Sequence, residues 1–207
     1  GPPPSMTTSK RFFEVIVVAP DGRSHHPPPL LERRIKSGQE WAEPLALQNF
    51  ETFELGKISD NPNDPQDLSV EVDEFGERFM KMMPTKKGMG PGSFYGTTLT
   101  GFATGKDEEC IVTMMLRSGG GRLPVKVKLG TLQFVDVEAT GTWRMFIFTA
   151  PAAKPVSIQE ILVGFNGDGE LHVGEVRNVP AFDRLKRLLK IMQKPAAESS
   201  GLPGPSR

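Results

Sequence analysis

The stretch from Met82 to Phe102 brings five glycines together with two lysines, Lys86 and Lys87. A phosphate-binding loop needs the order Gly-x-x-x-x-Gly-Lys-Ser/Thr between a strand and a helix, because backbone amides, the helix N-terminus and the lysine surround the phosphates together. Here both lysines precede the glycines, and the residues that follow favour a strand. We therefore predict no nucleotide site and no cofactor.

The same stretch has the residue types of a surface that binds single-stranded nucleic acid. Lysines neutralise phosphates and aromatic rings stack on bases, and a second basic row begins at Arg117 and continues through the next turn and strand. Each feature also has a plainer interpretation: a loop whose aromatic rings pack into the core, and a charged face in water. The candidate residues for binding a partner or nucleic acid are Lys86, Lys87, Phe94, Tyr95, Arg122, Lys126 and Lys128.

Side chains that could bind a metal or catalyse a reaction are few. Neighbouring side chains in a strand point in opposite directions, so His25 and His26 are poorly placed to hold one ion, and His172 is isolated. Cys110 lies in an apolar run and has the pattern of a buried hydrophobic residue. We predict no metal site, no catalytic residue and no enzyme activity. Dispersed carboxylates, as in the segments DEFGE and GKDEEC, leave an enzyme as a further alternative.

The elements that must position these residues are mostly strands. Short apolar runs end at turns, and several alternate with polar residues, as Val125, Val127 and Leu129 alternate with lysines. The segment ILVGFNGDGELHVGEV has an Asn-Gly-Asp-Gly turn between two apolar runs and predicts a β-hairpin. A short helix with Leu31 and Ile35 on one side is predicted nearer the N-terminus. The predicted fold is mainly β with one C-terminal α-helix: an antiparallel two-sheet sandwich or barrel-like body of about eight to ten strands.

The C-terminal α-helix is predicted from Pro180 to Gln193. Proline suits the first turn of a helix, and the apolar residues that follow recur on one stripe while basic residues occupy the other face. Such a helix usually covers a sheet of its own domain, and the alternative is contact with another subunit. The candidate interface residues are Phe182, Leu185, Leu189 and Met192.

Composition limits the domain organisation and the compartment. The 207 residues include one cysteine, with 25 basic and 25 acidic residues. A single cysteine forms no disulfide within the chain, which predicts a reducing intracellular compartment, either cytosol or organelle matrix. No apolar run approaches the roughly 20 residues of a membrane-spanning helix, so we predict no integral membrane insertion. The polar, proline-rich ends predict a flexible tail at 1–11, a single β-rich domain at 12–193 and a disordered tail at 194–207.

Two segments, LSVEVDEFGERFMKMMP and GELHVGEVRNVPAFDRLKRLLKIM, have the order strand, glycine turn, strand, and then strand followed by helix. This order resembles the Whirly family of single-stranded nucleic-acid binders over about a fifth of the chain. The resemblance implies sheets that display stacking residues and helices that join subunits. The lysine-glycine-lysine signature of that family is absent from this sequence.

Taken together, these observations predict a non-catalytic binding or assembly subunit of a multi-protein complex. Its partners would be other proteins, and it could form an oligomer. The alternative is a protein that binds single-stranded RNA or DNA through the glycine-rich loop and a sheet face. An enzyme with dispersed carboxylates is the second alternative.

Overall fold

The computed structural model describes residues 9–38, 46–50, 58–60, 66–84, 94–100, 111–149 and 160–179. Within these ranges the chain forms thirteen strands and one helix. The elements are β1 (Glu14–Val18), β2 (Ser24–His25), α1 (Pro29–Ser37), β3 (Ala46–Gln48), β4 (Ile58–Asp60), β5 (Gln66–Val72), β6 (Arg78–Pro84), β7 (Phe94–Thr100), β8 (Ile111–Ser118), β9 (Leu123–Leu129), β10 (Val135–Ala139), β11 (Arg144–Thr149), β12 (Glu160–Asn166) and β13 (Leu171–Val179).

The strands form two sheets that face each other across one apolar core. The larger sheet has the order β2-β1-β11-β8-β13-β6-β5, with β3 also paired to β13, and the smaller sheet has the order β10-β9-β12-β7-β4. Residues of both sheets contribute to the core between them. The prediction of a mainly β, two-sheet body is confirmed. The barrel-like alternative is wrong, because no strand pairing within the described ranges joins one sheet to the other.

Strand β9 shows how the sequence specifies the two faces of a sheet. Leu123, Val125, Val127 and Leu129 are buried in the core, while the residues between them lie on the outer surface. Successive side chains of a strand point to opposite faces, so apolar residues at every second position put one face against the core. The predicted alternation is confirmed here.

Strand β1 departs from the antiparallel prediction. It pairs in parallel with β11, in a register that runs from Glu14 opposite Arg144 to Val18 opposite Phe148. All four residues from Val15 to Val18 are buried, as is usual for a strand with apolar layers on both sides. Parallel neighbours need a long connection between them. The apolar run from Val15 to Val18 is typical of a buried strand but carries no information on the direction of the neighbouring strand.

The predicted hairpin at ILVGFNGDGELHVGEV is also wrong. Strand β12 pairs with β7 and β9 in the smaller sheet, whereas β13 pairs with β8 and β6 in the larger sheet. The Asn-Gly-Asp-Gly turn, in which Gly167 has a φ of 79°, carries the chain from one sheet to the other. Both flanking strands bury one side in the shared core. A hairpin and a crossing between sheets therefore give the same local pattern.

The outer face of the larger sheet has an apolar layer of its own. Helix α1 ends at Gly38, which adopts a left-handed conformation with a φ of 77°. Its residues Leu31 and Ile35 are buried in a cluster that includes Val15 and Trp143. The predicted short helix with these two residues on its buried side is confirmed. It forms one side of the groove described below.

Strand β13 contains a shift of register between Val173 and Val176. Leu171, Val173 and Val176 all belong to the core between the sheets. His172 lies on the opposite face of the sheet, where its ring packs against Phe79. His172 is therefore buried just below the outer surface of the larger sheet.

Several predictions concern residues whose structure is not described. The C-terminal helix at 180–193 lies outside the described residues, and so do residues 1–8 and the predicted tail at 194–207. Arg11, the last residue of the predicted N-terminal tail at 1–11, is buried. No helix in the described part of the chain is long and apolar enough to cross a membrane.

Candidate ligand groove

A groove of about 480 Å³ lies on the outer face of the larger sheet. It is lined by the start of β1 with the two residues before it, by helix α1, by the β5–β6 turn, by Arg117 of β8 and by the β10–β11 turn. Its volume falls within the range of about 300–1,000 Å³ that is typical of small-molecule sites. Five separate parts of the chain therefore contribute to one concave surface.

Aromatic side chains form the apolar part of the groove. Phe12 is 83% exposed, and its ring meets the ring of Phe75 edge to face, with centroids 5.7 Å apart. Trp143 is buried, with 1% exposure, and lies at the groove floor. Phe13 also lines the groove, with the Lys36 ammonium 5.0 Å from its ring centroid. An exposed ring next to a recessed one offers a stacking surface to a ligand.

The segment that carries Phe12 is held by a buried ion pair. Arg11 Nε donates a hydrogen bond to Asp73 Oδ2 at 2.6 Å, and both side chains are fully buried. Arg11 Nη2 donates to the carbonyl oxygen of Arg78 at 2.8 Å, and the guanidinium lies 4.1 Å from the Trp143 ring centroid. Phe12 follows Arg11 directly, so its backbone is fixed although its ring faces water.

Asp73 also shapes the turn that presents Phe75. Its Oδ1 accepts hydrogen bonds from the backbone amides of Phe75 and Glu77, at 3.0 and 2.9 Å. Burial raises the pKa of Asp73, but the hydrogen bonds from Arg11 and from the two amides outweigh it and hold this pKa below its ordinary value of 3.8. The ionised carboxylate of Asp73 thus fixes both the segment that carries Phe12 and the turn that carries Phe75.

Arg117 and Glu74 form the main polar pair of the groove. Arg117 Nη1 lies 2.5 Å from Glu74 Oε1, and Arg117 Nε donates to Nδ1 of His172 at 3.0 Å. The guanidinium lies 4.5 Å from the centroid of Trp143 and 5.4 Å from that of Phe79. The Arg117 side chain is only 12% exposed, whereas that of Glu74 is 59% exposed. The Glu74 carboxylate is therefore exposed to solvent, and the Arg117 guanidinium lies behind it, toward the interior of the protein.

The remaining charges of the groove are also paired. Glu14 lies 2.5 Å from Arg144, and Glu32 lies 3.2 Å from Lys36. The lining residues include three carboxylates, those of Glu14, Glu32 and Glu74, and two cations, those of Lys36 and Arg117. The formal charge of the lining is therefore two minus three, or one negative charge. The groove is polar without a strong field of either sign.

The structure places the predicted aromatic binding residues in the other sheet. Tyr95 is 3% exposed and packs against Phe165 in the core. Phe94 is half-buried and packs edge to face on Phe134, with centroids 6.3 Å apart. Neither ring lies at the groove, and Tyr95 offers no exposed face for stacking.

Two of the predicted basic residues lie beside carboxylates, and a third lies beside an aromatic ring. Arg122 lies 3.6 Å from Glu138, and Lys126 pairs with Asp136 at 2.9 Å. Lys128 lies 5.6 Å from the ring centroid of Phe134. Lys86 and Lys87 fall outside the described residues, as do the helix residues Phe182, Leu185, Leu189 and Met192.

Sequence reasoning missed the residues that make the groove. Phe12, Phe75 and Trp143 were not among the candidate binding residues, and the segment DEFGE, which contains Phe75, was considered only for its carboxylates. One signal was present in the sequence: Asp73 two residues before Phe75, with Gly76 next, is typical of a turn in which an aspartate accepts backbone amides. Such a turn places its intervening side chains at the surface.

Metal binding has no support in the described part of the chain. Among those residues, no group of three or more His, Cys, Asp or Glu side chains could hold an ion. Cys110 falls outside the described residues. The predictions of no metal and no cofactor stay predictions.

Comparison with known proteins gave matches among solved structures alone. No family model matches the chain, and no curated protein matches it. An exo-β-agarase is 9% identical with a TM-score of 0.47, and the match covers 64% of this chain but 25% of the agarase. A family 11 carbohydrate-binding module from Clostridium thermocellum, in complex with a mixed-linked tetrasaccharide, is 11% identical over 66% of this chain and 95% of the module, with a TM-score of 0.44. The CBM22-1 xylan-binding domain from Paenibacillus barcinonensis Xyn10C is 13% identical over 69% of this chain and 99% of the domain, with a TM-score of 0.46.

These matches correct the predicted functions. We predicted a subunit of a multi-protein complex, with single-stranded RNA or DNA binding as the alternative, whereas the similar structures include carbohydrate-binding modules and xylan-binding domains. Both predictions were wrong, and so were the predicted protein and nucleic-acid partners. Among the residues predicted to bind nucleic acid, Tyr95 is buried and Lys126 is paired with Asp136.

Proposed function

We propose that this chain is a non-catalytic carbohydrate-binding β-sandwich whose groove binds a neutral glycan. The observation that carries the proposal is the combination, in one groove, of the exposed ring of Phe12, the half-buried rings of Phe13 and Phe75, and paired charges. The C–H face of a sugar ring packs on an aromatic ring such as Phe12, which buries apolar area on both sides. Sugar hydroxyl groups both donate and accept hydrogen bonds, so they can satisfy Glu74 and Arg117 together.

The charges of the groove favour a neutral ligand over an anionic one. The lining carries three carboxylates and two cations, and the guanidinium of Arg117 already binds Glu74. A phosphate or sulfate group would meet Glu74 at the exposed end of this pair. Like charges in contact oppose binding, so a polyanion has to displace the carboxylate before it reaches the arginine.

The carboxylates of the groove suit binding better than hydrolysis. A glycosidase needs a carboxylic acid that keeps its proton near neutral pH, usually in an apolar pocket, beside a second carboxylate. Here Glu14, Glu32 and Glu74 each have a cationic partner within 3.2 Å. This pairing supports the proposal that the chain is not an enzyme.

Two further features belong to the proposal. Residues 180–193 would form the amphipathic helix that their spacing predicts, with the apolar stripe against this domain. The single cysteine, Cys110, supports a reducing intracellular compartment.

The proposal is tested by measuring the affinity of the chain for soluble neutral polymers. Xylan, mixed-linkage β-glucan and agarose oligosaccharides form the neutral panel, and heparin serves as the polyanion. We expect at least one neutral glycan to bind with a dissociation constant that is insensitive to salt, and heparin to bind weakly or not at all. Failure of every neutral glycan to bind, or preferential binding of heparin, contradicts the proposal.

A pair of matched variants locates the site. Phe12→Ala removes the exposed ring of the groove, and Phe134→Ala removes a ring that is 48% exposed on the other sheet. We expect Phe12→Ala to weaken glycan binding about tenfold, because an aromatic stack contributes about 0.5–1.5 kcal/mol beyond its buried area. Phe134→Ala should leave the affinity unchanged. If both variants bind as the wild type does, the glycan binds elsewhere.

A further inference from the structure

His172 lies directly beneath the groove, in contact with its main arginine. The imidazole is 8% exposed and packs beside the rings of Phe79 and Trp143, with centroid distances of 4.5 and 6.3 Å. Its Nδ1 lies 3.0 Å from Arg117 Nε, and its Nε2 lies 2.5 Å from Glu170 Oε2. The histidine thus connects a groove cation to a carboxylate on the far side of the ring.

The chemistry of Arg117 fixes the proton of the imidazole. A guanidinium donates hydrogen bonds and has no acceptor, so Nδ1 of His172 must carry the free lone pair. The single proton of the neutral ring is then on Nε2, where it is donated to Glu170. Both ring nitrogens are occupied in this tautomer. A second proton has to go to Nδ1, the atom that accepts the hydrogen bond from Arg117.

Of the charged groups around His172, Arg117 opposes the second proton and Glu170 favours it. Arg117 on β8 faces Nδ1, and Glu170 faces Nε2. Lys81 on β6 lies 3.8 Å from Glu170 and 3.3 Å from Glu71 of β5. Burial lowers the pKa of His172, the hydrogen bond with Glu170 raises it, and the positive charge of Arg117 lowers it, with a net decrease from 6.5. The neutral ring is therefore the form that the folded protein favours at neutral pH.

We infer that His172 is a positioning residue that holds Arg117 in the groove, and that the groove loses affinity for its glycan when His172 takes up a proton. This inference rests on the proposed function. Protonation converts Nδ1 from an acceptor into a donor, which breaks the hydrogen bond to Arg117 Nε and places two cations side by side. The guanidinium then loses the contact that orients it toward Glu74. The position of the Arg117 and Glu74 side chains then changes, while Phe12 and Phe75 keep their positions.

Nitrogen NMR of the free wild-type protein tests the positioning contact without any ligand. We expect Nδ1 of His172 to have the chemical shift of an unprotonated nitrogen at neutral pH, with a scalar coupling across the hydrogen bond to Arg117 Nε. Both signals should disappear as the pH falls through the titration of His172. A protonated Nδ1 at neutral pH, or a coupling that survives titration of the ring, overturns the inference.

Measuring the affinity for the glycan as a function of pH tests whether protonation of His172 weakens binding. We expect the wild type to lose about tenfold or more in affinity between about pH 8 and about pH 5, the range in which histidine changes charge. His172→Asn keeps an acceptor near the Nδ1 position but cannot take up a proton. Its affinity should stay within about twofold over the same range.

The outcomes separate this inference from the proposed function. Binding that is equally strong at both ends of the pH range in the wild type overturns the inference and leaves the proposed function standing. A wild type and a His172→Asn variant that lose affinity in parallel also overturn it, because another group then controls binding. Absence of glycan binding at every pH overturns the proposed function, and the NMR experiment still decides whether His172 holds Arg117.

Discussion

Replacing Asp73 by asparagine tests the buried ion pair that supports the aromatic side of the groove. Asparagine has nearly the same shape, and its Oδ1 can still accept the amides of Phe75 and Glu77. The change removes the negative charge opposite Arg11 and puts an NH₂ group where Arg11 Nε now donates at 2.6 Å. Two donors then face each other in a fully buried position.

The expected cost follows from these contacts. Removing one partner of a buried ion pair costs about 3–5 kcal/mol, because the other charge is left buried without compensation. Arg11 keeps its hydrogen bond to the Arg78 carbonyl and its ion pair with Glu77 at 3.3 Å. We therefore expect Asp73→Asn to lower the free energy of unfolding by about 3 kcal/mol, the lower end of that range.

Urea unfolding with an unchanged m-value measures this loss directly. The matched control is Asp136→Asn, which removes a carboxylate that is 73% exposed and paired with Lys126. We expect that control to cost less than about 1 kcal/mol, as exposed pairs usually do. A loss below about 1 kcal/mol for Asp73→Asn would refute the reasoning, because the buried guanidinium would then tolerate the absence of its partner.

The pH dependence gives a second check on the same carboxylate. The folded-state pKa of Asp73 lies below its ordinary value of 3.8, so its contribution to stability is present above about that pH and is lost as the pH falls through the folded pKa. The difference in stability between wild type and Asp73→Asn should shrink over this acidic range. A difference that stays constant to the lowest pH at which the protein folds would show that the charge of Asp73 is not responsible.

Two further predictions concern packing and pH. Gly164→Ala would place a Cβ against the carbonyl oxygen of Tyr95 on the paired strand, so we expect the free energy of unfolding in urea to fall by more than about 2 kcal/mol. In the control variant Gly120→Ala the new Cβ meets nothing within 4 Å, and we expect almost no change in stability. Equal effects of the two variants would show that strands β7 and β12 pack less closely at Gly164 than this contact requires. Because the folded-state pKa of His172 is lowered from 6.5, the unfolded chain binds that proton first and stability should fall as the pH drops below about 6.5, levelling off below the folded pKa. His172→Asn should remove this component from a series of melting temperatures, and an unchanged series would assign it to another group.

Much of the fold could be predicted because neighbouring residues encode it. The alternation at Val125 and Val127 specified which face of β9 is buried, and the spacing of Leu31 and Ile35 specified the buried side of α1. These signals depend on the period of one strand or helix. The direction of β1 and the partner of β12 depend on strands far away in the chain, so local patterns carried no information on them.

The groove could not be predicted for the same reason. Phe12 precedes a strand, Phe75 lies in a turn and Trp143 lies in a second turn, so only the sheet topology brings the three rings together. The basic and aromatic residues chosen from the sequence had suitable chemistry for binding. Their burial and pairing, as for Tyr95 in the core and Lys126 with Asp136, depended on neighbours that the sequence did not reveal.

The crossing between β12 and β13 has a consequence for how the chain folds. Short-range pairings such as β5 with β6 and β9 with β10 can form early, because only a short turn has to close. Strands β12 and β13 gain nothing from their short turn, since each pairs only with strands that are distant in the chain. Non-local pairing of this kind slows folding. We therefore expect strand β13, at the centre of the larger sheet, to pair only after β8 and β6 have formed, and the assembly of the two sheets to limit the rate of folding.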